Sequence, residues 1–353
     1  MRKLYCFSLL LLLVAFPAKA ESDLSKISWT QVTTEPAFNI DWDSTGERIA
    51  IANYQENTVG IFNLPRRSYD SLFSLPDDSV ARFIRWSPDG TYLAATVEGD
   101  IYLFDVEDNL NEDYQVFSSD FGYYGVVRWS ADSSRLAALT FSGYIEILDI
   151  LSGEVSQTIE LGELPEIVYP TFDWSPDGQI FAAPYYRTLP FASEGSLIGF
   201  WDAEGHLIND YIPQNQTEFR SGDFCYNYGE GNGEAFSIEW ASDGKSLAIS
   251  GYDGYGICIL DVEGIVEQNT ISSSFNSIIR WSPDQHWLAS ATQGGTGAWS
   301  CFVSLVDMTQ DYRTTEEALS RENCAVISLA WSPDSTQLAA GTSSGLWIGT
   351  LIN

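Results

Sequence analysis

Seven tryptophans constrain this chain more than any other feature: Trp42, Trp86, Trp129, Trp174, Trp240, Trp281 and Trp331. Two positions before them stand Ile40, Ile84, Val127, Phe172, Ile238, Ile279 and Leu329, all apolar. Seven positions after them stand Ile49, Leu93, Leu136, Phe181, Leu247, Leu288 and Leu338, again apolar. Eight positions after, the residue is always alanine: Ala50, Ala94, Ala137, Ala182, Ala248, Ala289 and Ala339. Once the copy is literal, with IRWSPD at both Ile84–Asp89 and Ile279–Asp284. The tryptophans are 44, 43, 45, 66, 41 and 50 residues apart. A period in the forties marks a supersecondary unit that buries its apolar face only by stacking on its neighbours.

Each unit reads as four short strands. In residues 80–119 the first strand alternates apolar and polar residues into Trp86. Ser87-Pro88-Asp89-Gly90 is a turn: proline presets φ, aspartate suits the third position, and glycine tolerates the exit geometry. Tyr92–Val97 returns, Glu98-Gly99-Asp100 turns again, and Ile101–Val106 is rich in β-branched and aromatic residues. Tyr114–Ser118 is a weaker fourth strand.

Strand, SPDG-type turn, Leu-Ala-Ala strand, and a strand closing on an apolar-Asp pair: this pattern resembles the WD-repeat family of β-propellers. Trp-Asp is literal at Trp201-Asp202, with counterparts at Phe104-Asp105, Leu148-Asp149, Leu260-Asp261 and Val306-Asp307. The resemblance covers residues 27–353. It lacks the family's Gly-His dipeptide, and its WSPDG turns are also similar to those of bacterial, TolB-type periplasmic propellers. It implies an all-β, seven-bladed β-propeller with four-stranded antiparallel blades. In that frame the alanines permit close approach of blades near the axis, and the tryptophans fill the space between blades. The last unit has three strands, so residues 27–33 are expected to complete it and remove the sheet edge.

Arg2 and Lys3, an apolar run from Phe7 to Phe16, and Pro17-Ala18-Lys19-Ala20 have the three parts of a signal peptide. Residues 1–20 are expected to be removed and 21–353 to form one propeller domain. The run is too short to span a bilayer, so no membrane span is expected after cleavage. The chain is expected to be exported, to a periplasmic, extracellular or cell-surface location. Its net charge is −32, and loss of Arg2, Lys3 and Lys19 would take it to −35. Such a chain repels phosphate backbones, so no nucleic-acid partner is expected.

Cys225, Cys258, Cys301 and Cys324 remain after cleavage, an even count suited to disulfides in an exported chain. Cys301 and Cys324 both stand at strand starts on one face, which favours that bridge and leaves Cys225 for Cys258. With no Cys-x-x-Cys spacing and only His206 and His286, no metal site and no cofactor is expected. The acidic run Asp105–Asp113 lacks the glycine and final glutamate of an EF-hand loop.

Two features point to function. The residue before each tryptophan is charged in six units: Asp41, Arg85, Arg128, Asp173, Glu239 and Arg280, with Ala330 in the seventh. Neighbouring units carry opposite signs, so inter-blade ion pairs are expected for Asp41–Arg85, Arg128–Asp173 and Glu239–Arg280. The second feature is extra length, at 185–196, 214–234, 293–300 and 311–324. Turns alternate between the two ends of an antiparallel blade, so all four insertions are expected on one face. They carry Tyr185, Tyr186, Arg187, Phe219, Arg220, Phe224, Tyr226, Tyr228 and Trp299, residue types of binding hot spots. No zincin motif or phosphate-cradling glycine loop occurs. The expectation is a monomeric, non-catalytic scaffold that binds a protein or peptide. A carbohydrate-binding propeller and a hydrolase or lyase using acidic residues are the alternatives.

Overall fold

The structure is a computed structural model that describes residues 26–53, 57–76, 79–106, 114–161, 171–187, 195–211, 235–251, 257–262, 266–271, 278–291, 301–309, 313–320 and 325–352. Among the described residues every regular element is a strand. The chain opens with β1 (Lys26–Gln31). Blade 1 is β2 (Asn39–Trp42), β3 (Arg48–Asn53), β4 (Thr58–Asn63) and β5 (Ser68–Ser74). Blade 2 is β6 (Ala81–Trp86), β7 (Tyr92–Val97), β8 (Asp100–Asp105) and β9 (Tyr114–Phe117). Blade 3 is β10 (Tyr124–Trp129), β11 (Arg135–Thr140), β12 (Tyr144–Asp149) and β13 (Glu154–Glu160). Blade 4 is β14 (Asp173–Trp174), β15 (Ile180–Arg187), β16 (Gly195–Asp202) and β17 (Leu207–Tyr211). Blade 5 is β18 (Ala235–Trp240), β19 (Ser246–Gly251), β20 (Ile257–Asp261) and β21 (Val266–Ile271). Blade 6 is β22 (Ile278–Trp281), β23 (Trp287–Ala291), β24 (Cys301–Asp307) and β25 (Arg313–Ser320). Blade 7 is β26 (Val326–Trp331), β27 (Gln337–Thr342) and β28 (Gly345–Ile352), completed by β1.

All seven sheets are four-stranded and antiparallel, a seven-bladed β-propeller. β1 pairs with β28 from Lys26↔Ile352 to Gln31↔Trp347, so the two ends of the chain close the ring. Residues 1–20 lie outside the described residues.

The alanine rule now has its physical cause. All seven alanines are 0% exposed. Each packs in the cluster formed with the following blade: Ala50 with Ile84 and Trp86, Ala182 with Ile238 and Trp240, Ala339 with Ile40 and Trp42. A larger side chain there would push two blades apart. The tryptophan is roofed by the residue six positions after the preceding tryptophan. Arg48 lies 4.9 Å over Trp86, Arg135 lies 5.5 Å over Trp174, and Tyr92 stacks 6.5 Å from Trp129.

The turns after the tryptophans repeat one hydrogen-bond design. The Ser87 hydroxyl donates to Asp89 Oδ1 at 2.6 Å and accepts from the Tyr92 N–H at 2.9 Å. Ser130, Ser175, Ser282 and Ser332 donate to Asp132, Asp177, Asp284 and Asp334 in the same way. Gly90 takes φ 75° at the turn exit, where glycine bears no steric cost. Ser133 and Ser335 hold that left-handed position with side chains that accept from the Asp89 and Asp284 N–H groups of the preceding blade. The turns are thus stitched to one another around the rim.

Two insertion boundaries differ from expectation. β15 continues through Arg187 and β16 begins at Gly195, with Tyr185↔Leu197, Tyr186↔Ser196 and Arg187↔Gly195 in register. Tyr185, Tyr186 and Arg187 are therefore strand residues. Most of 311–324 is also strand: β25 pairs along β24 from Cys301↔Ser320 to Asp307↔Arg313. Its sequence, RTTEEALS, has little apolar alternation because it is the outermost strand of its blade. Residues 214–234, 293–300 and the remainder of 311–324 lie outside the described residues.

Candidate functional site

The innermost strands of all seven blades meet at the axis, where their residues line a cavity of about 270 Å³. Asp41, Arg85, Arg128, Asp173, Glu239 and Arg280 form its polar lining. Trp281, Pro283, Ala330 and Trp331 give it an apolar side at blades 6 and 7.

The expected pairs differ in geometry. Arg128 Nε donates to Asp173 Oδ1 at 3.1 Å, and Arg280 Nη1 lies 3.4 Å from Glu239 Oε2. Asp41 and Arg85 make no such contact. The Asp41 carboxylate accepts the Trp86 N–H at 2.8 Å, and Arg85 Nη1 donates to Asn39 Oδ1 at 3.2 Å and to its own neighbour's carbonyl, Ile84 O, at 2.6 Å. Asn39 and Asp41 cap the Ile84 and Trp86 N–H groups of the next inner strand. Thr171 and Asp173 repeat the device on Ile238 and Trp240. At other junctions the indole makes the link: Trp129, Trp281 and Trp331 donate to the carbonyls of Arg85, Glu239 and Arg280.

Burial sets the ionisation of the ring. It raises the Asp41 and Asp173 carboxyls, opposed chiefly by Arg85 and Arg128 respectively. It pushes Glu239 up to about 7, opposed by Arg280 and reinforced by Asp173. Burial, and then the charge of Arg280, pulls Arg85 down to about 9.

A second constellation sits at the other end of the ring. Connections from second to third strand, and from fourth strand to the next blade, share one end. There β7 turns into β8, β9 leads to β10, and β11 turns into β12. The Tyr124 N–H donates to Gly99 O, the Phe141 N–H to Tyr123 O, and the Ser142 hydroxyl to Phe121 O. This junction presents Phe121, Tyr123 and Phe141, which are 40%, 70% and 46% exposed. Phe121 stacks on Tyr144 at 4.4 Å. Beneath them the buried Tyr124 hydroxyl donates to the buried Glu146 at 2.6 Å, and burial with that bond raises the Tyr124 hydroxyl above its ordinary range. Sequence reasoning missed this cluster because it weighed loop length. The signal was composition: Phe121, Tyr123 and Tyr124 fall together in a connection of ordinary length.

Of the binding candidates, Phe219, Arg220, Phe224, Tyr226, Tyr228 and Trp299 lie outside the described residues, as do Cys225 and Cys324. The backbones of Tyr185, Tyr186 and Arg187 end β15 at the same end as the aromatic cluster. Cys301 begins β24 there. Cys258 is buried on β20 and disulfide-bonded.

The chain also contains one Gly-x-Ser-x-Gly spelling, Gly341–Gly345. It forms the hairpin between β27 and β28, where the Ser343 hydroxyl accepts the Ala325 N–H, and not the strand-to-helix elbow that exposes a nucleophile. The two histidines are exposed and bonded to Asp202 and Asp284. Among the described residues no cluster suited to a metal occurs, and no helix is long and apolar enough to cross a membrane.

Fold and repeat together define the class: a seven-bladed β-propeller of four-stranded antiparallel blades, whose repeat resembles that of the WD-repeat family. No family model matches the chain. A 114-residue stretch is 27% identical to small ribosomal subunit protein RACK1y of Oryza sativa subsp. japonica, covering 32% of this chain and 33% of that protein. The chain thus spans about a third of the length of the curated relative it matches.

Proposed function

We propose that the chain is a non-catalytic scaffold that binds a protein or peptide at the insertion-bearing end of the ring. The observation that carries this reading is the exposed Phe121–Tyr123–Phe141 cluster, held on a rigid junction at that end. Large aromatic side chains of fixed conformation anchor protein interfaces. The net charge of −32 favours a basic partner through electrostatic steering. Hydroxyl and acidic residues, Ser119, Asp120 and Ser142, stand beside the aromatics, which suits a peptide better than the amide-flanked platform of a sugar site. The relative's name ties it to the small ribosomal subunit. That association is not carried over, since the charge here opposes ribosomal RNA. Export of residues 21–353 after cleavage at Ala20, and the pairings Cys301–Cys324 and Cys225–Cys258, belong to this proposal. Non-reducing peptide mass spectrometry tests the pairings.

The experiment compares partner capture by the wild type, by Phe121→Ser/Tyr123→Ser, and by a variant with 214–234 replaced by a short Gly-Ser loop. A partner held by the wild type and lost by either folded variant supports the reading. Equal capture by all three refutes it. A second reading, acid–base chemistry in the channel, is favoured by the cavity placement of Glu239 with Asp173, where burial first and then the Asp173 charge push the Glu239 carboxyl up to about 7. Loss of a measured hydrolytic or lyase activity in Glu239→Gln would support that reading.

A further inference from the structure

The channel ring is unequal in a way that its pairing does not explain. Two of its three arginines have a carboxylate partner, and Arg85 has none among the described residues. A guanidinium carries five N–H donors in a fixed fork. The described bonds of Arg85 all leave from Nη1, so Nε and Nη2 have no acceptor among the described residues. Arg85 and Arg280 line the same cavity, and the charge of Arg280 opposes that of Arg85 there. At the seventh ring position Ala330 replaces a charged side chain, and beside it Trp281, Pro283 and Trp331 present an apolar wall to the same cavity.

We propose that this cavity binds a small monocarboxylate. Its carboxylate would sit between Arg85 and Arg280, and its short apolar body against Trp281, Pro283 and Trp331 in the space left by Ala330. Charge supports the class. The ring holds three arginines against three carboxylates, and two of the carboxylates are occupied by ion pairs. The third, on Asp41, is held by a backbone N–H. A carboxylate ligand supplies the missing acceptor, whereas an amine would meet the unshared cationic edge of Arg85. The volume of about 270 Å³ suits a body of a few carbons. This site lies on the axis, away from the aromatic junction, so its failure leaves the protein-binding reading standing.

The test is titration calorimetry of the full chain with butyrate, butylamine and 1-butanol at one ionic strength. Saturable binding of butyrate, with at least about tenfold weaker binding of the other two, is expected. Arg85→Gln should weaken butyrate at least about tenfold. Ala330→Leu, which keeps every charge and fills the space, should abolish binding. Thermal melts confirm folding, and if one variant does not fold the other decides. No saturable butyrate binding by the wild type, equal binding of butylamine, or full affinity in whichever variant folds overturns the proposal.

Discussion

The carboxylates before the tryptophans and those three residues after them stand four positions apart on the same strand–turn units, yet they ionise in opposite senses. In the channel, burial raises Asp41, Asp173 and Glu239. In the turns, hydrogen bonds from serine hydroxyls and backbone N–H groups lower Asp132 and Asp177, with Asp132 falling to about 2. Asp89 and Asp284 are lowered although partial burial acts against it, and Asp334 follows the same pattern. The difference teaches that donor count and water access, not residue type, decide which carboxylates secure the ring and which strain it. Turn carboxylates are acceptors with several local donors. Channel carboxylates are removed from water and repaid by an arginine at Glu239, a backbone N–H at Asp41, and one of each at Asp173.

The sharpest break in this comparison lies in blade 1, where the turn is spelled in reverse. Asp43 stands where five of the other six blades have serine, and Thr45 where all six have aspartate. The hydrogen bond survives with donor and acceptor exchanged, Thr45 Oγ1 to Asp43 Oδ2 at 2.7 Å. Asp43 is 0% exposed and also takes Arg48 Nε at 2.8 Å and the Arg48 N–H at 3.0 Å. Arg48 in turn roofs Trp86 of the next blade. Asp43→Ala should therefore cost about 3 kcal/mol in denaturant unfolding, the largest effect predicted here. Asp43→Ser with Thr45→Asp rebuilds the spelling of blade 2 and should recover about 1 kcal/mol of that loss. No recovery would show that Arg48, and not the turn bond, is what Asp43 holds.

The next effect separates the regions by pH. Glu239 rises from 4.5 to about 7 on folding, so the folded state binds the extra proton. Its contribution to stability is complete below about 4.5 and is lost as pH rises through about 7. The facing charges are Arg280, Asp173, Arg128 and Arg85. The turn aspartates behave oppositely: the stability from Asp132 is present above 3.8 and is lost as pH falls through about 2. Unfolding of the wild type and Glu239→Gln, compared from about pH 5 to pH 8, should differ in slope by on the order of 2 kcal/mol over the range. Parallel curves would place the Glu239 carboxyl in contact with water.

These contrasts show why part of the molecule was legible in the sequence and part was not. Blade number and the inner strands followed from the tryptophan and alanine positions, because one packing constraint acts on every copy, and ring closure followed from the three strands of the last unit, expected at 27–33 and found at Lys26–Gln31. The partners of the ring charges did not follow. Opposite signs on adjacent blades brought Arg128 to Asp173 but left Arg85 on Asn39 and Asp41 on the Trp86 N–H of the next inner strand. The outer strand β25 read as an insertion because a strand with one solvent-facing edge has little apolar pattern to show. The exposed aromatics at 121–141 lay in connections of ordinary length, where extra length could not mark them.

The smallest effect concerns blade 5, which has the turn aspartate without the hydroxyl. Ala241 occupies the serine position, and Asp243 caps the Lys245 N–H, at 2.8 Å. In blades 2, 3, 4, 6 and 7 the serine hydroxyl accepts the N–H five residues on, at 2.9 Å in each. In blade 5 that N–H belongs to Ser246. Ala241→Ser adds one buried hydroxyl with a donor and an acceptor already placed, so its desolvation is offset from both sides. A stabilisation of about 1 kcal/mol is expected in denaturant unfolding. A loss would show that the turn of blade 5 follows a path different from the other blades, despite the shared bond from the Gly244 N–H to Ala241 O at 2.9 Å.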